Sequence, residues 1–404
     1  MRILVQKYGG TSVATEEARQ LLADSVKNAE KKDYKLVIVV SAMGRLGQPY
    51  ATDTLLSLID NKKEVVPSRE KDLLMSCGEI ISAVVVAAKI QQEGLKAKVL
   101  TGFQAGIKTT SNFNNARIIN IDTKRIIAAL ENNKVVIVAG FQGMDKNNDI
   151  TTLGRGGSDT TAIALGIALE AERVEIYTDV TGVMTADPRV APEAYVMNKI
   201  SYQELFQMTS KGAKVVHPRA VELAMEHHIP LLVATANNAE QGTLIIDSES
   251  ERTYENKVGR VITAIAHMKG LVQFNIKNLG ANQSKKLYES LADAGVSLDL
   301  INIGTIGHHF VTNKSSYKKA IYVMDKLNLE YQVTNNVSKV SCIGAGMHNQ
   351  PGVLSQIVST LVENEIEILQ TSDSHMTITC LVKEADTNEA VRLLHQKFCT
   401  SNYN

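Results

Sequence analysis

Residues 1–17 read MRILVQKYGGTSVATEE, and their order decides the fold. Ile3, Leu4 and Val5 form the apolar run of a short buried strand. Gly9 and Gly10 form a turn in which backbone can approach a ligand closely, and Thr15-Glu16-Glu17 read as the start of a helix. Strand, glycine turn and helix is the geometry that holds phosphate, because the free N–H groups and positive end of a helix favour an anion. Lys7, between the strand residues and the glycines, is either a surface cation beside an ordinary turn or a charge aimed at that phosphate. The rest of the chain has to separate the two.

Working outward, the alternation continues to about Asp247. LVIVV (36–40), KVL (98–100), KVVIVAG (134–140), RVEIYTD (173–179) and PLLVAT (230–235) alternate with helical stretches, which predicts an α/β layered domain. Ala18, Leu21, Leu22, Val26 and Ala29 share one face of the first long helix, as a helix covering a sheet requires. The polar stretch DSESERTYENK (247–257) is the expected linker. Beyond it the chain repeats at a constant offset. Leu291, Val296 and Leu298 match Leu361, Ile366 and Ile368, HHFVT (308–312) matches ITCLV (378–382), and Ala320, Ile321, Val323 and Met324 match Ala390, Val391, Leu393 and Leu394. Each copy reads β-α-β-β-α, which predicts two small ferredoxin-like α+β units. The expected domains are 1–250, 260–335 and 336–404.

The 404 residues, 44% hydrophobic and 21% charged, suffice for two or three cores. Lys plus Arg and Asp plus Glu both number 43, so no global basic field exists for nucleic acid or an anionic membrane. Cys77, Cys342, Cys380 and Cys399 are scattered without a C-x-x-C, and the nine histidines show no metal spacing with them, so a reducing cytoplasm and no metal centre are expected. The most apolar stretch, Ile80 to Ala88, is shorter than the roughly 20 residues of a membrane span, and no apolar signal core precedes Ile3. Neither export nor a membrane anchor is expected.

Three further stretches carry chemistry. In EKDLLMSCGEIISAVVVAAKI, Glu79 is the one acid between Asp72 and Lys89, in a segment apolar on nearly every helical face. A buried carboxylate must meet a cation, either of the protein, tying helix to sheet, or of a ligand. In TTLGRGGSDTTAIALGIALEA a glycine turn carries Arg155 into a helix whose first turn holds Ser158 and Asp159. The arginine fork and the helix start favour a carboxylate, Gly156 and Gly157 let it come close, and Asp159 requires a cation nearby. In YTDVTGVMTADPRV, Thr178 and Asp179 stand at a strand end and Arg189 follows a proline, where ligands of open α/β sheets lie. No G-x-x-x-x-G-K-[ST] occurs, so ATP would depend on spaced lysines such as Lys7 and Lys214.

Together QKYGGTSV, VVSAMG, SCGEIIS, LTGFQAGI, TTLGRGGSDTTA, YTDVTGVMTADPR and GAKVVHP, in that order from residue 6 to 218 and followed by the tandem repeat, resemble the aspartate kinases of the amino-acid kinase family. The resemblance implies the layered amino-acid kinase fold with two C-terminal ACT-type units. The reaction it implies is transfer from ATP, with Mg²⁺ carried by the nucleotide, to L-aspartate, giving 4-phospho-L-aspartate and ADP at the head of lysine, diaminopimelate, threonine and methionine synthesis. By position, Lys7 contacts the transferring phosphoryl group and Asp159 orients it. Gly9, Gly10 and Ser12 belong to the phosphate turn, and Thr178, Asp179, Met184, Arg189 and Lys214 line the ATP site. Ser41, Thr52, Glu79, Arg155, Gly156, Gly157 and Ser158 bind substrate, Glu79 facing its α-amino group and Arg155 its α-carboxylate. The resemblance also implies an end-product amino-acid effector on the repeats, with GAGMHNQPGV (344–353) the loop of the second, and a homodimer or higher homo-oligomer.

Departures are visible. Met184 stands where many relatives have tyrosine, RLGQPYA (45–51) is inserted before Thr52, and NLGANQS (278–284) replaces a D-x-P-G loop, which points to the second repeat as the main effector site. A kinase acting on acetylglutamate, glutamate or a nucleoside monophosphate, and a non-catalytic amino-acid sensor, are the competing readings. Glu79 with Arg155 suits a free α-amino acid, whereas an acetylated amine offers no ammonium.

Overall fold

A computed structural model describes the chain except residues 60–64, 134, 237, 248–260, 278, 305–306, 348–349 and 401–404. All of the expected linker after Asp247, and Asn278 and Asn349 of the two expected effector loops, lie outside the described residues. The chain forms two compact units. The first holds Met1–Val183, Val196–Thr209 and the residues from Lys214 to the 248–260 stretch; the second holds Met184–Tyr195, Ser210–Ala213 and the C-terminal repeats.

In the first unit eight strands form one sheet, in the order Lys199–Ser201, Asn238–Ile246, Leu231–Thr235, Val174–Tyr177, Ile3–Tyr8, Lys35–Val40, Val135–Ala139, Ala97–Leu100. The six from Leu231–Thr235 to Ala97–Leu100 run parallel. Their apolar runs are continuous because both faces are covered, and Leu36 to Val40 and Val135 to Ala139 are wholly buried. Leu4, Leu36 and Ile38 pack on one face against Leu22 and Val26 of helix Glu16–Lys31 and against Ala83, Val86 and Ile90 of helix Ser68–Gln92. Thr15 caps the first of these, its side chain accepting from the Ala18 N–H. Leu21, expected on the same apolar face, is instead 40% exposed, and Ala23 is buried in its stead.

Helix Ser68–Gln92 corrects one expectation. It extends well beyond Ile80 to Ala88 and, by length and composition, could cross a membrane. Its polar residues explain where it lies: Asp72, Ser76, Glu79 and Ser82 are all buried inside the fold, so it is a core helix.

Strand alternation places Lys7 with Ile3 and Val5, on the face opposite Leu4 and Tyr8. Helix Gly157–Ala168 packs on the strand Ile3–Tyr8, and a Cβ on Gly140 would lie 2.9 Å from Val39 and 3.0 Å from Ser158 at that helix's start. A second, four-stranded sheet (Ile118–Ile121, Ile107–Thr109, Gln142–Met144, Ile150–Thr152) completes the unit.

The second unit is built on a six-stranded sheet ordered Asp299–Ile303, Gly307–Asn313, Ala264–Lys277, Tyr331–Ile343, Thr377–Lys383, Gln370–Asp373. The repeat is visible in the element bounds: strand Gly307–Asn313 recurs 70 positions on as Thr377–Lys383, and helix Tyr317–Lys326 as Thr387–His395. Leu291 and Leu361 are the fully buried counterparts of their two cores. The structure adds what a β-α-β-β-α reading lacks. Leu271 to Ile276 pairs with the start of strand Tyr331–Ile343, while Ala264 to Met268 pairs with its end, so each repeat takes a fourth strand from a long strand it shares with the other. The shift occurs at Met268 to Gln273, where Gly270 has φ +74° and Asn336 across the ladder φ +53°.

Lys339, 1% exposed, pairs with Asp299 of the first repeat. Removing one partner of such a pair strands a buried charge. Asp299→Ala should therefore lower stability by roughly 3 kcal/mol in urea denaturation, and adding Lys339→Met should recover most of it.

Candidate active site

The first unit contains a cavity of about 550 Å³ beyond the carboxyl ends of strands Ile3–Tyr8 and Lys35–Val40, the usual ligand position of such sheets. Lys7, Ser41, Thr52, Glu79, Arg155 and Asp159 all line it.

Lys7 is the strand's next-to-last residue, and its Nζ lies 2.7 Å from Asp159 Oδ1, both side chains about 90% buried. Asp159 sits in the first turn of helix Gly157–Ala168, and its Oδ2 also accepts from the His217 N–H at 3.4 Å. This pair satisfies the cation that Asp159 requires and rules out a merely solvated Lys7. Two glycines make the approach possible. Gly156 has φ +69°, and a Cβ there would fall 2.2 Å from His217 Cβ. A Cβ on Gly10 would lie 2.5 Å from the Ala42 carbonyl, so the first glycine turn can lean on the loop after Lys35–Val40.

Glu79 Oε1 accepts from the Ala42 N–H at 3.1 Å, while Oε2 is buried and meets no donor among the described residues. Among the described residues no cation ties it to the sheet. Burial pushes its pKa up to about 8, against a smaller opposing effect of the Ala42 N–H. Arg155, exposed, has no hydrogen-bond or ion-pair partner among the described residues. The cavity thus offers, among the described residues, an acid lacking a cation and a cation lacking an acid. Gly157 and Ser158 also line the cavity, and Thr52 opens a short helix, Thr52–Leu56, on its edge.

Asp72 is a residue the sequence reading did not select. Wholly buried, it accepts from the Asn114 N–H (3.0 Å), the Thr152 N–H (2.7 Å) and the Thr152 hydroxyl (2.8 Å), and so positions two cavity-lining residues. The signal was present: Asp72 and Glu79 are two helical turns apart and share a face.

The expected nucleotide set is dispersed. Gly10 lines the cavity, but Gly9 and Ser12 do not; Gly9 N–H donates to the Tyr177 carbonyl, and its own carbonyl accepts from Ser12 N–H. Thr178 and Asp179 follow the end of strand Val174–Tyr177, and Asp179 is paired with Arg45 at 2.6 Å. Lys214 is exposed ahead of helix Pro218–Glu226, outside the cavity lining. Met184 and Arg189 fold with the second unit, where Arg189 pairs with Asp187 at 2.7 Å.

Comparison with known proteins agrees with this architecture. The amino acid kinase family model matches residues 2–235, and an ACT domain model matches 332–396. The chain is 45% identical to aspartokinase 1 of Bacillus subtilis, covering 98% of this chain and 99% of that one. It is 37% identical to the aspartokinase of Corynebacterium glutamicum, covering 98% and 96%. In fold it resembles the crystal structure of Escherichia coli aspartokinase III in complex with aspartate and ADP, with a TM-score of 0.78 over 98% of this chain and 100% of that one, at 23% identity. The chain belongs to the amino acid kinase family and, within it, to the aspartokinases.

The raised pKa of Glu79 has a measurable sign. A carboxyl protonated up to about pH 8 in the fold, against 4.5 unfolded, favours the fold below pH 4.5 and loses that contribution as pH rises through 8. Thermal unfolding of the ligand-free protein between pH 5 and 9 should show Glu79→Gln losing less stability than the parent over that range. Parallel curves would mean that Glu79 ionises normally.

Proposed function

We propose that this chain transfers the γ-phosphoryl group of ATP to the side-chain carboxylate of L-aspartate, giving 4-phospho-L-aspartate and ADP. The observation that carries the reading is the shared cavity of Lys7, Glu79 and Arg155, where a buried oxygen of Glu79 and the Arg155 guanidinium have no partner among the described residues. A free α-amino acid supplies an ammonium to Glu79 and a carboxylate to Arg155. An acetylated amine would leave Glu79 without a cation, which disfavours acetylglutamate, and the intact Lys7–Asp159 pair disfavours a sensor without catalysis.

The aspartate side chain, with an ordinary pKa near ~3.9, is already ionised and needs no general base. The barrier is approach of one anion to another, so the protein's contribution is alignment and positive charge. Gly156, Gly157, Ser158, Ser41 and Thr52 surround the substrate, and Lys7, oriented by Asp159, faces the transferring group. Gly9, Gly10, Ser12, Thr178, Asp179 and Lys214, with Met184 and Arg189, serve the nucleotide. Mg²⁺ arrives on the phosphates and supplies charge neutralisation there. The chain has no need to hold it alone, and no cluster of three His, Cys, Asp or Glu suited to a metal occurs among the described residues.

Residues 1–250 are the catalytic domain in this reading, and 260–335 and 336–404 bind an end-product amino acid such as lysine, diaminopimelate or threonine and assemble a homodimer or higher oligomer. A related structure, that of the Escherichia coli aspartokinase III, is described in complex with lysine and aspartate. The enzyme acts in the cytoplasm at the start of the synthesis of these amino acids and methionine; its four free cysteines suit a reducing compartment.

Steady-state assays of aspartate-dependent ADP release test the roles. Lys7→Ala should lower kcat at least ~100-fold with little change in aspartate KM, because its charge matters most in the transition state. Glu79→Ala and Arg155→Ala should instead raise aspartate KM, each stranding one end of the substrate at a cost of roughly 2 to 5 kcal/mol. In the parent, aspartate affinity should improve with rising pH up to about 8, as Glu79 ionises. Aspartate KM insensitive to both substitutions would make Glu79 and Arg155 structural.

A further inference from the structure

The cavity lining carries six ionisable side chains, Lys7, Arg45 and Arg155 against Asp53, Glu79 and Asp159. On the reading above, Arg155 is committed to the α-carboxylate, Glu79 to the ammonium, and Lys7 is half neutralised by Asp159 at 2.7 Å. A reacting carboxylate and a terminal phosphoryl group then bring several negative charges to a cavity whose lining, among the described residues, holds one further protein cation. That cation is Arg45, and it belongs to the RLGQPYA insertion.

The insertion is pinned where it meets the site. Gly44 N–H donates to the Gly10 carbonyl at 3.0 Å, so the loop rests on the glycine turn after Lys7. Arg45 N–H donates to Gln48 Oε1 (2.6 Å), and Gly47 N–H to Thr54 Oγ1 (3.0 Å). The backbone of Arg45 is therefore fixed, while its side chain is 71% exposed. The guanidinium rests on Asp179 through Nη2 alone among the described residues, so Nε and Nη1 remain free to donate. An ion pair this exposed is weak and yields easily to a multiply charged phosphate.

We propose that Arg45 is a further catalytic residue, an arginine delivered by the insertion that grips the terminal phosphoryl group of the nucleotide together with Lys7. This rests on the reading of the cavity as the site of phosphoryl transfer. In the step itself an aspartate Oδ forms a bond to Pγ, the bond from Pγ to the β,γ-bridging oxygen breaks, and that electron pair leaves with ADP. No proton moves, because the nucleophile is already ionised. Charge grows on the bridging oxygen and spreads over the phosphoryl oxygens, where a planar fork donates two parallel hydrogen bonds and an ammonium cannot. Asp179 holds the fork beside the site when no phosphate is there.

The test uses the full-length chain with Arg45→Ala, Arg45→Gln and Arg45→Lys. Two quantities are read: calorimetric affinity for the ATP analogue AMP-PNP and for ADP, each with Mg²⁺, and kcat and KM for aspartate. Arg45→Ala should weaken AMP-PNP about tenfold with ADP changed less than about twofold, and lower kcat at least ~30-fold with aspartate KM within about threefold. Arg45→Lys should recover only a minor part, since it keeps the charge and loses the fork. Equal loss of affinity for both nucleotides, an unchanged kcat, or full recovery by lysine would overturn the proposal. Arg45→Gln gives the same readings should the alanine variant fail to fold. If the parent binds AMP-PNP yet shows no aspartate-dependent ADP release, the assigned acceptor is wrong, while the AMP-PNP against ADP comparison still decides for or against Arg45.

Discussion

The contact between Lys7 and Asp159 is the constraint around which the first unit is arranged. It joins the end of a central parallel strand to the first turn of a helix on one face of the sheet, 2.7 Å apart and nearly excluded from solvent. Such a pair contributes little net stability, since desolvating two charges offsets most of their attraction. What it supplies is a lysine held in one place. Everything that lets the two elements meet follows from it: the odd-numbered position of Lys7 in its strand, the left-handed Gly156 that turns the chain into the helix, and the absence of a side chain where His217 must fit. Like any carboxylate partner, Asp159 also leaves the lysine with less charge for any other anion in the cavity.

The parallel strands were legible because they are buried on both faces, and their apolar runs therefore stand out in the sequence without alternation. Lys7, Glu79, Arg155 and Asp159 were legible for the opposite reason, as charged residues in segments that otherwise exclude charge. Asp72 obeys the same rule and escaped because it stands at the edge of its apolar segment. Its partners are the Asn114 N–H and the N–H and hydroxyl of Thr152, far off in sequence, which no pattern along its own helix announces. Leu21 lies on the boundary of the apolar arc of its helix, and periodicity alone does not fix which boundary residue is covered.

The repeats show a different limit. A constant offset identifies the elements that each copy owns: strand Thr377–Lys383 lies 70 positions beyond Gly307–Asn313, and helix Thr387–His395 starts 70 positions beyond Tyr317–Lys326. It is blind to a strand that a copy borrows. The fourth strand of the second repeat is Ala264 to Met268, which precedes the first repeat in sequence, so no shift of one copy onto the other can reveal it. The boundary expected between 335 and 336 falls within strand Tyr331–Ile343 for the same reason.

Shared strands constrain any regulation these units carry. The first half of Ala264–Lys277 completes one repeat and the second half is the first strand of the other, and Tyr331–Ile343 is divided likewise. A strand is stiff along its axis and its register is set by side chains on both halves, so a ligand that shifts one repeat moves backbone belonging to the other. The Lys339–Asp299 pair ties the two again on the same sheet. The segment Met184–Tyr195 extends the argument to the chain as a whole. It packs into the second core through Ala186 and Ala191, with Thr185 bonded to His395 at 2.8 Å, yet it continues directly from the Thr178-Asp179 strand end. YTDVTGVMTADPR, one motif in sequence, is thus divided between the two units. A shift of the second core that favours one state of this segment has a covalent route to the end of strand Val174–Tyr177. Differential affinity of an effector for the two states, typically 1 to 3 kcal/mol, is then sufficient for control.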